Sequence, residues 1–573
     1  MEVIALMVLS FAGYIIAYHT YGKYLSKRIF KLSVDRIVPA HEFEDGLDYI
    51  PSKRGIIFGH HFTSIAGTGP IVGPAIGIIW GWIPAMLWIF LGSIFMGAVH
   101  DLGALVLSLR NRGESLSEYA AKYINPRVRY ISFFVIYLEL LIIIAIFGLI
   151  IALIFKMFPQ AVFPVWSEIP IAVLMGWMVY TRGKSVLLST ILAVTLMYLT
   201  VIVGHFLPLN MPAIGSVPAT GIWTIILLVY VYFASTIPVN RLLQPRDYIN
   251  AWQLFVAMSL LVLGIIMSGI SGNLNIVAPG VNLNASGAPP MLPFLFITIA
   301  CGAISGFHSV VSSGTTSKQV SSEPDALFIG YGSMLMEAAL ATLVVIAVAA
   351  GIGMAYETID GNILTGTAAW QEHYATWSAS KGLASKINAV VIGSANMMQI
   401  LFIPKTLGIV IMGVFIASFA GTTMDSATRI QRYVIGELFR DIKYKQLTNR
   451  YITTGFAVLT AAILAFATGA NGMGALKLWP LFGAVNQILA GLALVVITVF
   501  LKNRRPGLSY LISGIPAIII LIMTIWAIVL SEVTYLADGH ILLAVINAMV
   551  LVLALWMVGE GVLTIIKSKH ANT

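Results

Sequence analysis

Residues Phe58–Pro74 read FGHHFTSIAGTGPIVGP. The stretch is apolar enough for a membrane, yet it carries His60 and His61, the hydroxyls of Thr63, Ser64 and Thr68, and glycines and prolines at Gly67, Gly69, Pro70, Gly73 and Pro74. These residues suit an unbroken spanning helix poorly. A helix unwound in its middle leaves carbonyls and amides unpaired in hydrocarbon, which is tolerated only where protein, water or a ligand satisfies them. The stretch therefore predicts a lined cavity of the kind secondary transporters build near the bilayer midplane from discontinuous helices.

The surrounding composition agrees. The 573 residues are 59% hydrophobic and 10% charged, with a mean hydropathy of +0.92, more apolar than a single soluble core requires. A single cysteine, Cys301, excludes a disulfide framework and any site of clustered thiolates. The net charge of +9 lies mostly in short loops between apolar runs, so it reads as topology and not as affinity for nucleic acid. The first run opens with Glu2 and lacks both a basic leader and a small-residue cleavage site, which predicts a retained span and not a signal peptide.

Apolar runs of roughly 17 to 25 residues, enough to cross hydrocarbon as helix, predict about fifteen spans. They lie near 3–18, 56–80, 84–109, 130–155, 164–181, 185–206, 220–238, 253–271, 291–312, 326–352, 407–428, 452–468, 480–501, 509–531 and 541–566. Lys and Arg fall in every second loop, with Lys156, Lys381, Lys386 and Lys477 as exceptions. By the positive-inside rule the N-terminus is outside and the C-terminus cytoplasmic. Met354–Lys405 interrupts the alternation as a long extracytoplasmic segment. Its apolar piece, Ile387–Ile403, is broken by Gly393, Asn396 and Gln399 and reads as a re-entrant or capping hairpin, the alternative being a sixteenth span.

A second interrupted stretch, CGAISGFHSVVSSGTTSK at Cys301–Lys318, can be laid on the first so that His308, Gly314 and Thr315 fall on His61, Gly67 and Thr68. Paired interrupted spans are the best sequence pointer to a transporter's site, although small residues also mark ordinary helix contacts in lipid. Candidate substrate or ion contacts are therefore His60, His61, Thr63, Ser64, Gly67, Thr68, Gly69, His308, Ser312, Ser313, Gly314 and Thr315. A third segment, AGTTMDSATRIQR at Ala420–Arg432, places Thr422, Thr423, Asp425 and Ser426 in one span. These are hard oxygen ligands for a small cation, or else Asp425 simply pairs with Arg429 one turn on. Ionisable residues inside spans mark ion or proton pathways by default; besides His60, His61 and His308 they include His100, Asp101, Glu139, Glu337 and Asp425. For coupling, Asp101, Glu337, Thr422, Thr423 and Asp425 are the candidates. Pro238–Tyr248, PVNRLLQPRDY, reads as a cytoplasmic anchor loop or a carboxylate-positioning gate, and Ser115 with Glu118 as a capping box. There is no P-loop, zinc-protease helix or multi-histidine box, which disfavours an enzyme and predicts no cofactor.

FGHHFTSIAGTGPIVGPAI, HDLGALVLSLRNRGESLSEYA, LLQPRDYIN, SGFHSVVSSGTTSK and TTMDSATRIQR resemble blocks of the carbon starvation protein A (CstA) family of membrane transporters, and with the spans they cover nearly the whole chain. The resemblance implies uptake of small nutrients, peptides or pyruvate, during carbon limitation, driven by protons. It also implies the core of the amino acid–polyamine–organocation (LeuT-like) superfamily, a pair of inverted five-helix repeats. Thr422 and Thr423 are similar to the paired hydroxyls that complete a sodium site on the eighth core helix of such carriers. Counting from residue 56, seven helices stand where five are expected. Either two are inserted in the first half, or the span at 291–312 is the eighth core helix.

The resulting expectation is an all-α, single-domain, multi-pass transporter of the inner (plasma) membrane. Its partners would be a small-molecule substrate, a proton or sodium ion and the bilayer, with no nucleic acid; the sequence says nothing of oligomeric state. A cation carrier and a transporter-like nutrient sensor are the competing functions.

Overall fold

The computed structural model describes every residue except 359, 378–381, 442–444, 505–506 and 568–573. Lys381, Arg505 and Lys569 of the basic-residue pattern thus lie outside the described residues. Among the described residues, thirteen helices, from Glu2–Phe30 to Ile541–Lys567, are long and apolar enough to cross a membrane. Two more segments bring the count to fifteen. One is the shorter apolar helix Arg450–Phe466; the other is the pair Met291–Thr298 and Gly306–Gly314, separated by a non-helical link.

Two helices run well past their expected ends. Leu243–Ile270 starts before 253 and Lys405–Asp441 continues beyond 428. Hydropathy falls where Arg246, Asp247, Asp425, Arg429 and Arg432 begin, but these charges are paired inside the protein, so the helices need not stop at them. Arg429 does not take Asp425. Its guanidinium reaches Asp48 Oδ1 at 2.9 Å and the carbonyls of Ala234 and Ile237. Ser115 sits at the start of helix Leu116–Tyr123 without capping it through its side chain; its hydroxyl instead meets Ser117 Oγ and Glu437 Oε2, each at 2.9 Å.

The first broken span is Arg54–Ala66 followed by Gly69–Gly77, turned at Gly67 with φ 44° and ψ −142°. Only glycine adopts that conformation without strain, and a Cβ there would lie 2.5 Å from Thr423 Oγ1. The second break comes earlier than the sequence alignment placed it, at residues 299–305, where Gly302 has φ 91°. Gly67 therefore corresponds to the region of Gly302; Gly314 and Thr315 lie at the far end of the second half-helix.

Packing resolves the repeat register. Arg54–Ala66 packs on Leu243–Ile270 as Gly306–Gly314 packs on Trp479–Arg504. Ala219–Thr236 packs on Pro126–Met157 as Arg450–Phe466 packs on Lys405–Asp441, and each member of these two pairs also contacts its counterpart. Four helices of each repeat are thereby matched, Trp82–Arg110 and Leu327–Met354 each follow a broken span as the fifth, and the two left over, Pro159–Thr181 and Val186–Phe206, pack on each other. The extra pair is thus inserted in the first half. Protein covers 94% of the most apolar window of Pro126–Met157 but 28% of those in Val186–Phe206 and Ile541–Lys567, so the former is central and the latter two face lipid.

Between Leu327–Met354 and Lys405–Asp441 lie a ribbon, Tyr356–Glu357 paired with Ile363–Leu364, and helices Gly366–Tyr374 and Leu383–Gln399. The Tyr374 hydroxyl donates to Ala75 O in the first broken span, and the rings of Trp377 and Trp80 are 5.5 Å apart. Gly393 lets two backbones touch: a Cβ there would sit 2.2 Å from Ala347 O. Gly393→Val is expected to cost about 1–3 kcal/mol through overpacking, read as a lower Tm of the detergent-purified protein; an unchanged Tm would refute this contact.

Candidate functional site

The two breaks face each other. A Cβ on Gly69 would meet Cys301 Sγ at 2.4 Å, and one on Gly73 would meet Thr298 O at 2.7 Å, so bare glycine backbone is what lets the half-helix after the first break lie against the start of the second. Three buried polar clusters lie on the helices that carry these breaks and on those packed against them.

The first joins both repeats through a histidine. His308 Nδ1 lies 2.9 Å from Asp101 Oδ2, and His308 Nε2 lies 3.2 Å from Glu337 Oε2. The second contact is misaligned for a hydrogen bond, and both of its atoms otherwise lack a partner. Glu337 Oε1 accepts from the Gly302 N–H at 3.0 Å, and Asp101 Oδ1 is 2.7 Å from His100 Nδ1. Cys301, His308 and Glu337 offer ligand-type atoms within 4.8 Å of one another, a spacing that would admit a metal ion. The Cys301 thiol, however, is turned onto Ser305 Oγ at 3.4 Å and His308 stands between two carboxylates, so the group reads as an Asp–His–Glu charge triad.

The second cluster lies along Arg54–Ala66. His60 Nδ1 meets Asp247 Oδ2 at 2.5 Å, Ser64 Oγ meets Ser426 Oγ at 2.8 Å, and Thr423 donates to Ser64 O at 3.2 Å. Asn250 donates to Thr422 Oγ1 at 2.9 Å, and His61 Nδ1 is 2.8 Å from Thr316 Oγ1 with its Nε2 unpartnered. In the third cluster Arg246 Nη1 and the Tyr230 hydroxyl donate to Asp425 Oδ2 at 2.6 and 2.8 Å, while Arg246 Nε lies 3.5 Å from Glu168.

The structure therefore brings Asp101, His308 and Glu337 together, and Ser64 with Thr423. Thr422, Thr423 and Asp425 do not converge on one point, since each is engaged by a different partner. Thr63 bonds back to Gly59 O, Ser313 to Ser309 O and Thr315 to Val311 O; Gly314 packs on Ile430. Ser312 Oγ is buried without a partner, and Thr68 precedes the second half-helix without capping it.

Sequence reasoning placed Arg246 and Asp247 only in an anchor loop or gate, and missed Asn250, Glu168, Gln319, whose Nε2 lies 3.1 Å from His60 Nε2, and Asn486, whose Oδ1 accepts from the Phe307 N–H at 2.9 Å. Polar residues recurring at helical spacing through 246, 247, 250 and 253 were a usable sign of a buried helix face. Glu168, a lone acid in an apolar span, falls under the same rule that selected Glu139.

At the end of the second broken span a cavity of about 440 Å3 is lined by Tyr49, Arg112, Glu114, Glu118, Lys318 and Glu437 among others. Beside it, Asp48 is gripped by Arg429 and Arg432. Burial alone would raise its pKa, but Arg432 and Arg429 hold it below the usual value.

The chain matches the family described as Carbon starvation protein CstA over residues 2–527. It is 31% identical to the Pyruvate/proton symporter BtsT of Escherichia coli K12, across 91% of this chain and 81% of that protein. It is 32% identical to the Peptide transporter CstA of Helicobacter pylori J99, across 92% and 81%. Among solved structures it is similar to MhsT in complex with L-phenylalanine, at TM-score 0.42 and 13% identity over 82% of this chain and 98% of that one. It is likewise similar to a manganese transporter of Eremococcus coleocola, at TM-score 0.42 and 12% identity over 91% and 98%. The protein belongs to the CstA family of multi-pass secondary transporters and is not an enzyme.

Proposed function

We propose that the protein imports a small carboxylate nutrient, pyruvate or a short peptide, down a proton gradient across the inner (plasma) membrane, through a site between the two breaks. The observation that carries this reading is the contact of Gly69 with Cys301 at the two breaks, with His61 Nε2 on the first half-helix, Asp247 Oδ1 on the helix packed against it and Ser312 Oγ on the second half-helix all buried and unpartnered. Buried polar atoms without partners are costly, and a bound substrate would satisfy them. His60, His61, Ser64, Thr68, Gly67, Gly69, His308 and Ser312 are the proposed contacts, partly through backbone groups freed at the breaks. Proton coupling and the two substrate classes follow the relatives' names. In this reading the N-terminus is outside, the C-terminus cytoplasmic, and residues 354–405 cap the extracytoplasmic face.

Sodium coupling is a second reading. It is favoured by the Ser64 and Ser426 hydroxyls, 2.8 Å apart, and by the Thr423 hydroxyl, which donates to Ser64 O at 3.2 Å, all hard oxygen ligands.

The deciding experiment is uptake of labelled pyruvate and of labelled dialanine into proteoliposomes under an imposed pH gradient and then a sodium gradient. Accumulation of one probe under a pH gradient supports the reading, and accumulation under sodium alone replaces it with the second. His61→Ala is expected to reach the membrane but to lose about tenfold or more in uptake, since about 1.4 kcal/mol of lost binding is tenfold. Near-normal uptake by His61→Ala and His308→Ala would remove the site from between the breaks.

A further inference from the structure

The triad of Asp101, His308 and Glu337 is wholly buried and differs from the other buried acidic groups in its counter-charge. Asp425 and Glu168 share Arg246, which also lies within electrostatic reach of Asp247. Glu323 is held by Arg110 and Arg36. Glu139 has no cation either, but neither of its oxygens has a partner, so nothing links it to a break. The titratable groups that act most strongly on the triad are His100, His61 and Cys301, and among the described residues no Lys or Arg is ion-paired with it. A buried carboxylate is stable only if paired or neutralised. With His308 protonated and both carboxylates ionised, the triad carries one uncompensated negative charge.

The geometry also joins that charge to both breaks. Asp101 belongs to the span after the first break, His308 to the half-helix after the second, and Glu337 to the span that follows it. Glu337 holds the unwound segment directly, through the Gly302 N–H on Oε1, while Oε2 faces His308 Nε2 without a good hydrogen bond. A hydrogen bond to a carboxylate is roughly twice as strong as one to a neutral carboxyl.

We propose, resting on the proton-driven reading, that this triad carries the coupling proton. The proton is taken up on Glu337 Oε2, the oxygen that faces His308 Nε2, and the second break senses it through the Gly302 N–H on Oε1. Binding brings the triad from one net negative charge to zero, turns the acceptor of the Gly302 N–H from carboxylate to carboxyl, and so loosens the segment that lines the substrate site. Release of the same proton on the other face restores the grip.

The test uses the full chain in proteoliposomes with pyranine trapped inside and pyruvate or dialanine as probe. Wild type is expected to show probe-dependent proton entry. Glu337→Gln is expected to lose that entry and to lose accumulation under a pH gradient, while exchange of labelled for unlabelled probe, which needs no net proton movement, remains measurable. Glu337→Asp, which restores a titratable group, is expected to recover part of the proton entry. Should Glu337→Gln fail to purify as a single species, Asp101→Asn, which removes the uncompensated charge without touching a proposed substrate contact, must show the same loss. Proton entry at the wild-type ratio in either variant overturns the assignment alone. Probe uptake by wild type without proton entry overturns the proton-driven reading and the assignment with it.

Discussion

Replacing Arg246 by Met is expected to destabilise the protein by about 3–5 kcal/mol, the cost of leaving buried charge unpaired. Arg246 is buried, with Asp425 at 2.6 Å and Glu168 at 3.5 Å, and Met fills the space while removing the only guanidinium these acids share among the described residues. The loss should appear as a large drop in the apparent Tm of purified protein. Arg246→Met combined with Asp425→Asn should recover part of it, because one of the two orphaned charges goes too while Glu168 stays. A single variant as stable as wild type would mean that the cluster is solvated or already neutral, contrary to its burial.

Lys386 carries the second large effect, with a pH signature. It lies in Leu383–Gln399, outside the spanning helices, where its ammonium donates to His373 O at 2.7 Å and stands 3.6 Å from the Tyr374 ring centroid. Burial lowers its pKa from 10.5 to about 7, and the neighbouring His373 is lowered to about 4, by burial and then by Lys386 itself, so it stays neutral in the relevant range. The folded state binds fewer protons than the unfolded one between those two lysine values. Stability should therefore rise as pH climbs from about 7 towards 10, by up to about 1.4 kcal/mol per pH unit, and be flat in this term below 7. Lys386→Met removes the penalty, so near pH 7 the variant should be the more stable, by up to a few kcal/mol less the lost bond to His373 O. Tm measured from pH 6 to 9 checks this: equal slopes for wild type and variant would contradict a buried, depressed lysine.

The spans were legible because hydrocarbon thickness and backbone pairing leave a long apolar helix as nearly the only solution. Their ends at Leu243 and Asp441 were not, because hydropathy cannot tell a charge in water from one paired inside the protein. The first break was legible in the Gly67–Pro70 cluster. The second was displaced because the glycine and hydroxyls at Gly314 and Thr315 imitate a break, while the real one at Gly302 shows only a commonplace Gly-Ala pair. Among site residues, His308, Asp101 and Glu337 were each visible as costly ions in spans, but not as one group. Their contacts, like that of Arg246 with Asp425 across 179 residues of chain, are fixed by the fold and leave no local signal.

The helices Pro159–Thr181 and Val186–Phe206 give the first half two spans that its counterpart lacks. An even insertion is topologically silent: the chain re-emerges on the side it left, and everything downstream keeps its orientation. Such a module could in principle come and go freely. Here it cannot, because Glu168 reaches inward from the added pair to Arg246 and Ser418. Excising residues 159–206 would preserve the handedness of every later span yet change the charge balance of the core, so the addition is geometrically optional and electrostatically bound to the rest of the molecule.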